Sequence, residues 1–314
     1  MILITGGAGR IGRHLALELI KRGEKVRILV QKKQDTDGVI PEDLEIVEGD
    51  ITSIDSIRNV ADGVDTVFHL AAVVDYTAPN ELMRKVNVEG TKNMLEVSRG
   101  KKFIMMSSTS VMGKKLPKQP ADEAVPYNPS DFYGKTKMEA EKLALENKAI
   151  VVRATDVYGP GFHEGYFTII KSIKEGKCII IGNGQNRLQY LNIRDIINCL
   201  IAVGNKGKEG EVYLIAGPEV LTQEELYQLI ARLLDVGYPK KRMPIWIVKL
   251  IVMLLAVKSK IKGKKPKMLP AYVDKLAADR TFDMGKLKRE LNFEPKVRYE
   301  EGIREVVKEF LSTQ

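Results

Sequence analysis

A tyrosine and a lysine four residues apart, Tyr133 and Lys137, form the pair best suited to chemistry. Side chains at this spacing lie on one face of a helix. A tyrosine hydroxyl has a pKa of about 10 and is a poor base at neutral pH, but a nearby ammonium group favours the phenolate and lowers that pKa. The pair could therefore exchange a proton with a substrate oxygen.

Four consecutive hydroxyl residues, 107–110, follow an apolar run that predicts a strand over 102–106. Parallel α/β sheets bind their ligands at the carboxyl ends of the strands, where a hydroxyl can hydrogen-bond a substrate oxygen. We therefore expect Ser108 to join Tyr133 and Lys137. The tyrosine–lysine spacing alone also fits an ordinary exposed helix, but the hydroxyl cluster favours a site.

Three glycines, Gly6, Gly9 and Gly12, lie between the first predicted strand and the first predicted helix. Glycine permits a tight turn, and the helix amides behind it, here including Arg10 and Ile11, can approach a pyrophosphate. The strand before the turn and the amphipathic helix after it are the context that a dinucleotide site requires. The turn is therefore expected to hold the pyrophosphate of a nicotinamide cofactor.

The end of the second predicted strand bears on the choice of cofactor. An acidic residue there would bind a ribose hydroxyl, whereas a basic residue would accommodate a 2′-phosphate. This chain has Val30 at the acidic position, followed by Lys32 and Lys33. The pattern favours NADP(H) over NAD(H), although the two lysines can equally be solvated loop charges. Asp50 and Ile51, after the third strand, are expected near the adenine.

Strand-like runs alternate with helical patterns through the first half of the 314-residue chain. The strands are expected over 2–4, 25–30, 44–48, 64–70, 102–106 and 149–153, and the helices over 10–22, 53–60, 80–98 and 131–147. The alternation predicts an α/β fold with a doubly wound parallel sheet of the Rossmann type. We expect a dinucleotide-binding domain over 1–155, with added segments near 178–215, and a smaller α/β substrate lobe over 156–177 and 216–314.

The net charge of +9 is concentrated in one segment. Residues 240–267 contain ten Lys and Arg and no Asp or Glu, which leaves 40 basic and 41 acidic residues elsewhere. Nucleic-acid binding, which requires a basic face on the folded body, is therefore not expected. The three histidines are scattered and the two cysteines fit no zinc spacing, so no metal site is expected.

The basic segment also contains an apolar stretch, 244–257. It can be a buried helix of the lobe followed by a solvated lysine loop, the wall of an apolar pocket, or a helix that contacts an anionic membrane surface. No secretory signal is recognised, so a cytoplasmic location is expected, with contact at the inner membrane face as one option.

Together these motifs resemble the extended short-chain dehydrogenase/reductases, within the NAD-dependent epimerase/dehydratase family. Further segments share the resemblance, at 69–72, 87–91, 153–161, 182–184 and Asp195. The likeness implies that Ser108, Tyr133 and Lys137 are catalytic and that the protein is a homodimer formed through the helices at 80–98 and 131–147. It also implies cofactor contacts at Leu70, Ala71, Ala72, Asn87, Tyr133 and Lys137, and substrate contacts at Thr109, Asp156 and Arg187. His69 is interpreted as a buried structural histidine at a strand end.

Two departures indicate a branch of the family. Dehydratases carry Asp-Glu after the catalytic hydroxyl, where this chain has Thr109 and Ser110, so no acid is supplied to protonate a leaving hydroxyl. Sugar-nucleotide epimerases carry Asn where this chain has Asp156, whose charge would repel a diphosphate. The sequence looks most like the branch of 3-beta-hydroxysteroid dehydrogenases and dihydroflavonol reductases.

The expected function is therefore an NAD(P)-dependent oxidoreductase that interconverts a ketone and a secondary alcohol on a hydrophobic small molecule. A nucleotide-sugar 4-epimerase is the alternative, which Arg187 favours and Asp156 opposes. A dinucleotide sensor or membrane-docking protein without catalysis is a third interpretation, which the intact tyrosine–lysine pair disfavours.

Overall fold

The computed structural model of the protein describes residues 1–32, 44–163, 165–263, 266 and 270–313. The described strands are β1 (Ile2–Thr5), β2 (Val26–Val30), β3 (Glu45–Glu48), β4 (Thr66–His69), β5 (Lys102–Ser108), β6 (Ile150–Ala154), β7 (Val157–Tyr158), β8 (Ile180–Ile181), β9 (Arg187–Leu188), β10 (Leu191–Asn192), β11 (Val212–Ile215), β12 (Leu221–Thr222) and β13 (Arg242–Met243). The described α-helices are α1 (Arg10–Lys21), α2 (Asn80–Arg84), α3 (Gly90–Val97), α4 (Phe132–Glu146), α5 (Tyr166–Lys174), α6 (Ile193–Lys206), α7 (Gln223–Leu233), α8 (Ile245–Ile261), α9 (Pro270–Leu276), α10 (Gly285–Leu291) and α11 (Tyr299–Ser312).

Seven strands form a parallel sheet in the order β11-β6-β5-β4-β1-β2-β3. Successive side chains of a strand point to opposite faces. In β1, Leu3 packs with Met94 of α3 and Ala140 of α4 on one face, while Ile4 packs with Leu15 of α1 on the other. The predicted Rossmann-type parallel sheet, covered on both faces, is confirmed. The strand order reverses between β1 and β4, which is where open α/β sheets bind ligands.

Two predicted helices differ from expectation. The segment 53–60 contains only a 3-10 turn, Ile54–Ile57. The Ser56 hydroxyl accepts from the Asp50 amide and donates to the Asp50 carbonyl, both at 2.9 Å, and such side-chain bonds compete with a helix. The segment 80–98 is helical throughout, but a π-turn, Lys85–Glu89, interrupts it between α2 and α3.

The remaining elements build a smaller lobe beside the sheet. Within the segment 178–215, β11 joins the central sheet and α6 packs on it, whereas β8 and β9 pair with β13 and β12 of the lobe. The lobe has its own core, in which α5, α7 and α11 meet around Ile170, Ile230 and Ile303. No helix among the described residues is both long enough and apolar enough to cross a membrane.

A buried carboxylate fixes α4 to the sheet. Glu141 is 0% exposed and accepts two hydrogen bonds from the guanidinium of Arg153 on β6, from Nε at 2.9 Å and from Nη2 at 2.7 Å. It also accepts from the hydroxyls of Ser107 on β5, at 2.5 Å, and Tyr127, at 2.9 Å. Glu141 therefore joins α4 to two adjacent strands, one helical turn after Lys137.

We predict that Glu141→Ala lowers the free energy of unfolding by about 3–5 kcal/mol, because it leaves the buried charge of Arg153 unpaired. Glu139→Ala, on the same helix, is the matched control: Glu139 pairs with Arg84 at the surface, and such pairs contribute about 1 kcal/mol or less. Urea denaturation measures both. Equal losses in the two variants would contradict the role given to Glu141.

The glycine turn before α1 predicts a second stability difference. A Cβ at Gly12 would lie 2.2 Å from the carbonyl oxygen of Gly6, which is backbone and cannot rotate away. Gly12→Ala should therefore cost about 3 kcal/mol of unfolding free energy. Gly237→Ala is the control, because nothing lies within 4 Å of its added Cβ. Matching urea midpoints for the two variants would refute this packing argument.

Candidate active site

The glycine turn is pressed against the loop that follows β4. Gly6 has a φ of +68°, in the left-handed region that favours glycine. A Cβ on Gly6 would also lie 2.9 Å from the backbone of Ala71. The amide of Ala71 donates to the Thr5 hydroxyl at 3.2 Å. The turn is thus in direct contact with Leu70 and Ala71, which Ala72 follows in the chain; the cofactor contacts expected of these three residues stay a prediction.

The amino-terminal end of α1 opens directly behind this turn. No side chain caps it, and its first turn contains no acidic residue. The first amides of a helix have no partner within the helix, and the helix dipole makes this end positive. The guanidinium of Arg10 lies 5.3 Å from the centre of the Phe162 ring, at the same end of the helix. The Gly9 amide donates to the Gly6 carbonyl at 2.9 Å, so the amides of Arg10, Ile11 and Gly12 are the ones that fit the pyrophosphate of a dinucleotide.

The residues expected near the adenosine differ from one another in burial and in hydrogen bonding. Val30 is buried and Lys32 is exposed, whereas Lys33 lies outside the described residues. The Asp50 carboxylate accepts from the amide of Thr52 at 2.9 Å and shapes its own turn. Ile51 is buried in the core beneath the sheet. Asp50 follows β3, whereas the side chain of Ile51 packs in the core near Gly90, and the adenine contact expected of both stays a prediction.

Helix α4 begins in close contact with the hydroxyl cluster. The carboxylate of Asp131 caps α4 by accepting from the amide of Gly134 at 2.8 Å. A Cβ on Gly134 would lie 2.7 Å from the carbonyl oxygen of Ser110. Glycine after Tyr133 thus allows the first turn of α4 to meet the segment that follows β5. Tyr133 is buried there.

Lys137 is buried one turn further along α4. Its ammonium donates to the carbonyl of Met106 on β5 at 2.7 Å. Burial lowers the pKa of Lys137 to about 8, while the charge of Glu141 acts in the opposite direction. The lysine is therefore anchored at the carboxyl end of β5 on the same buried helix face as Tyr133.

Ser108 is the last residue of β5 and caps the 3-10 turn Thr109–Met112. Its hydroxyl accepts from the Ser110 amide at 3.1 Å and donates to the Ser110 hydroxyl at 3.0 Å. Ser108 is partly exposed, whereas Thr109 and Ser110 are buried. Of these three residues, Ser108 is the one accessible to a ligand, and its catalytic role stays a prediction.

Tyr76 is a site residue that sequence reasoning missed. Its ring packs edge-to-face on Tyr133, with 5.4 Å between ring centres, and its hydroxyl is hydrogen-bonded to Ser110. Burial raises the pKa of Tyr76, and the charges of Asp156 and Asp131 add to the effect. A tyrosine within the loop 70–79 after β4 was the available sequence clue. Tyr76 thus forms a wall of the site as a neutral phenol.

Asn87 braces this loop from beneath. Its side-chain oxygen accepts from the Val73 amide at 2.7 Å, and its side-chain nitrogen donates to the Val73 carbonyl and to the Thr136 hydroxyl, both at 3.1 Å. Asn87 is buried within the π-turn. It therefore joins the loop after β4 to α4, and the cofactor contact expected of Asn87 stays a prediction.

His69 forms a buried network behind the glycine turn. Its Nδ1 is 2.8 Å from the hydroxyl of Thr5, and its Nε2 is 3.0 Å from the hydroxyl of Thr91. The Thr91 hydroxyl donates to the Asn87 carbonyl at 2.7 Å, so it accepts from His69 Nε2–H. Nδ1 then accepts from Thr5. Burial, followed by the charge of Lys137, lowers the pKa of His69 to about 3, so the ring is neutral and structural.

A cleft open to solvent adjoins the hydroxyl cluster. Its lining includes Thr109, Asp156, Leu188, Tyr190, Arg280 and Phe282. Thr109 and Asp156 are therefore brought together, as predicted. Arg187 does not join them in the cleft. Its side chain is half exposed and forms an ion pair with Asp279 at 3.2 Å. Because strand side chains alternate, the neighbour Leu188 faces the cleft instead.

Arg280 is a second residue that sequence reasoning missed. It is 8% exposed, and its guanidinium donates to the Thr109 carbonyl at 2.9 Å. Burial lowers the pKa of Arg280, while the charge of Asp156 acts in the opposite direction. It lies 171 positions after Thr109, so only the folded lobe brings a cation to this cleft.

The neutral state of His69 predicts a pH dependence of stability. The pKa of His69 is about 3 in the folded chain and about 6.5 when unfolded, so the unfolded chain binds the proton first as pH falls. The contribution of His69 is present above about pH 6.5 and is lost as pH falls. We expect about 2 kcal/mol less unfolding free energy at about pH 5 than at about pH 7 from this residue. Urea titrations of His69→Gln should lack that loss; parallel profiles for variant and wild type would contradict it.

Comparison with known proteins agrees with this geometry. The model of the NAD dependent epimerase/dehydratase family matches residues 2–216. A 3 beta-hydroxysteroid dehydrogenase/Delta 5-->4-isomerase of Mycobacterium tuberculosis is 25% identical over 99% of this chain and 90% of that protein. A decarboxylating sterol-4-alpha-carboxylate 3-dehydrogenase of Mus musculus is 24% identical over 98% of this chain and 90% of that protein.

A solved structure shares the fold. The UDP-glucuronic acid 4-epimerase of Bacillus cereus, in complex with NAD, superposes with a TM-score of 0.79 at 22% identity, over 99% of both chains. At this identity the likeness shows the fold alone. The family match covers more than two thirds of the chain and includes the glycine turn, the hydroxyl cluster and the tyrosine–lysine pair. The chain belongs to the NAD dependent epimerase/dehydratase family, and it is an enzyme of the extended short-chain dehydrogenase/reductase type.

Proposed function

We propose that this protein is an NAD(P)-dependent oxidoreductase that interconverts a ketone and a secondary alcohol on a hydrophobic substrate. One observation carries the proposal. The turn that presents Ser108 is in van der Waals contact with the first turn of α4, which carries Tyr133, and Lys137 is anchored to β5 directly before that turn. The substrate cleft begins at the next residue, Thr109.

The reaction needs a proton at the substrate oxygen when a hydride reaches the carbon. A bound nicotinamide supplies or accepts that hydride. Ser108 donates a hydrogen bond that orients the oxygen. Tyr133 donates its proton to the same oxygen during reduction and accepts it during oxidation. Lys137, with a pKa of about 8, is mostly protonated at neutral pH, and its charge stabilises the tyrosinate form.

The lining of the cleft supports a substrate without a diphosphate. Leu188 and Phe282 supply apolar walls, and Arg187 is turned away from them toward Asp279. Asp156 shares the cleft with Arg280 and offsets its charge. The relatives named as a 3 beta-hydroxysteroid dehydrogenase and a sterol-4-alpha-carboxylate 3-dehydrogenase agree with this choice.

A nucleotide-sugar 4-epimerase remains the second candidate because of Arg280. A guanidinium at a cleft wall can bind a phosphate oxygen, and the Bacillus cereus neighbour is an epimerase. The carboxylate of Asp156 in the same cleft opposes that ligand.

We propose NADP(H) as the preferred cofactor. Support comes from the apolar Val30 where a carboxylate would otherwise bind the ribose, and from the exposed Lys32 beyond it. NAD accompanies the Bacillus cereus structure, so the two cofactors are compared directly in the assay below.

Homodimer formation and a cytoplasmic location are further proposals. The segment from α2 to α3 packs beside α4, and Leu82 on it is exposed, which suits a surface shared by two copies. The two cysteines, Cys178 and Cys199, are buried free thiols, as suits a reducing compartment.

The assay follows nicotinamide absorbance with NADPH or NADH and two substrate panels, apolar ketones and nucleotide sugars. We predict stoichiometric oxidation of cofactor by a ketone. Tyr133→Phe and Lys137→Met should each lower kcat/KM by about a hundredfold to ten-thousandfold, because each removes part of the proton transfer. Cofactor binding, followed by fluorescence titration, should persist in Tyr133→Phe.

Matched controls are Tyr238→Phe and Lys135→Met, since Tyr238 and Lys135 are exposed and lie outside the site. Both should retain wild-type turnover. Unchanged absorbance together with a new sugar epimer would establish the epimerase instead. Turnover that survives in Tyr133→Phe would remove the proposed mechanism.

A further inference from the structure

The outer side of α8 is a continuous apolar stripe. Its members are Trp246, Leu250, Met253, Leu254, Val257 and Ile261. Their spacing places them along one side of a helix, because residues three and four apart are neighbours. Trp246 is 67% exposed and Leu254 is 58% exposed. Exposed apolar patches of this extent mark interaction surfaces.

The side of α8 that carries Val252 and Ala256 is held by the lobe, whereas Ile251 and Leu255, beside the stripe, are also exposed. Val252 and Ala256 are buried, and α8 packs on α9. Lys249 forms an ion pair with Asp274 of α9 at 2.6 Å. Before the helix, Arg242 pairs with Glu224 at 2.8 Å. These contacts therefore fix the rotation of α8 about its own axis. Rotating the helix to bury the outer stripe would break them.

Both ends of the stripe are basic. Lys240 and Lys241 are exposed before the helix, and Lys258 and Lys262 are exposed at its end. No acidic residue occurs in the sequence from 236 to 273. Because both ends carry the same charge, pairing α8 with the α8 of a second copy would bring like charges together in either orientation.

We propose that α8 is a membrane-docking helix that lies in the plane of an anionic phospholipid bilayer. Its outer stripe enters the acyl region below the headgroups, and the lysines at its two ends bind lipid phosphates. The positive charge at both ends of the stripe thus complements the negative charge of the bilayer surface in which the stripe would be buried.

This placement brings the bilayer close to the substrate cleft. Leu276, the last residue of α9, lines that cleft, and α9 packs directly on α8. If the proposed function holds, α9 contacts both the membrane-docking helix and the cleft that receives the substrate. The docking itself does not depend on the reaction.

Trp246 is the only tryptophan of the chain, so its fluorescence reports on this helix directly. We expect its emission to shift to the blue with vesicles of phosphatidylcholine containing about one third phosphatidylglycerol, and much less with phosphatidylcholine alone. Lipids brominated near the headgroup should quench it more than lipids brominated at the chain ends, because an in-plane helix sits ~5–10 Å deep. Lys258→Gln and Lys262→Gln should each weaken binding about fivefold at low salt, the ratio that ~1 kcal/mol per charge gives.

Leu254→Glu should abolish vesicle co-sedimentation. Leu311→Glu, which changes an exposed leucine on α11, is the control and should bind as the wild type does. Circular dichroism and urea midpoints confirm that each variant folds. Absence of binding to anionic vesicles, or equal loss in both leucine variants, overturns the proposal. So does a concentration-dependent blue shift without lipid that Leu254→Glu removes, which would assign the stripe to a second copy. None of these outcomes alters the ketone assay, so docking and catalysis are judged separately.

Discussion

The candidate site depends most on the buried hydrogen bonds that the carboxylate of Glu141 accepts. Glu141 accepts hydrogen bonds from Arg153 on β6 and Ser107 on β5. These bonds determine where α4 lies across the ends of the two strands. Lys137 and Tyr133 lie one and two turns before it on the same helix. A small rotation of α4 would move both residues away from Ser108. A charged pair taken out of water is costly, so the arrangement is stable only because each partner has several hydrogen bonds.

Steric constraints of similar precision act at two glycines. Gly6 allows the turn after β1 to touch the loop after β4, and Gly134 allows the start of α4 to touch the segment after β5. Each contact joins elements that lie far apart in the sequence. Together with the bonds of Asn87, they bring the cofactor turn and the catalytic helix to the same edge of the sheet.

Burial sets the electrostatics of the site. His69 is neutral because its pKa is lowered, and the pKa of Lys137 is lowered as well. Desolvation is the main cause in both cases, and it acts against the charged form of each group. The lobe adds an opposed pair, Arg280 and Asp156, which makes the cleft nearly neutral while its other walls are largely apolar. An apolar ketone is therefore the class of ligand for which transfer from water into this cleft costs the least desolvation free energy.

The sequence by itself determined the parallel sheet and the glycine turn, because strand and helix periods and the glycine spacing are local properties of the chain, and it predicted the tyrosine–lysine–serine set. It also identified the apolar basic segment of α8 without deciding whether that helix is buried. Tertiary structure decided which of Arg187 and Leu188 faces the cleft, since the register of a two-residue strand has no sequence signature. It likewise brought Tyr76 and Arg280 to the site and exposed the outer stripe of α8. These outcomes depend on packing between distant elements, and a single sequence records the residues of such contacts but not which of them meet.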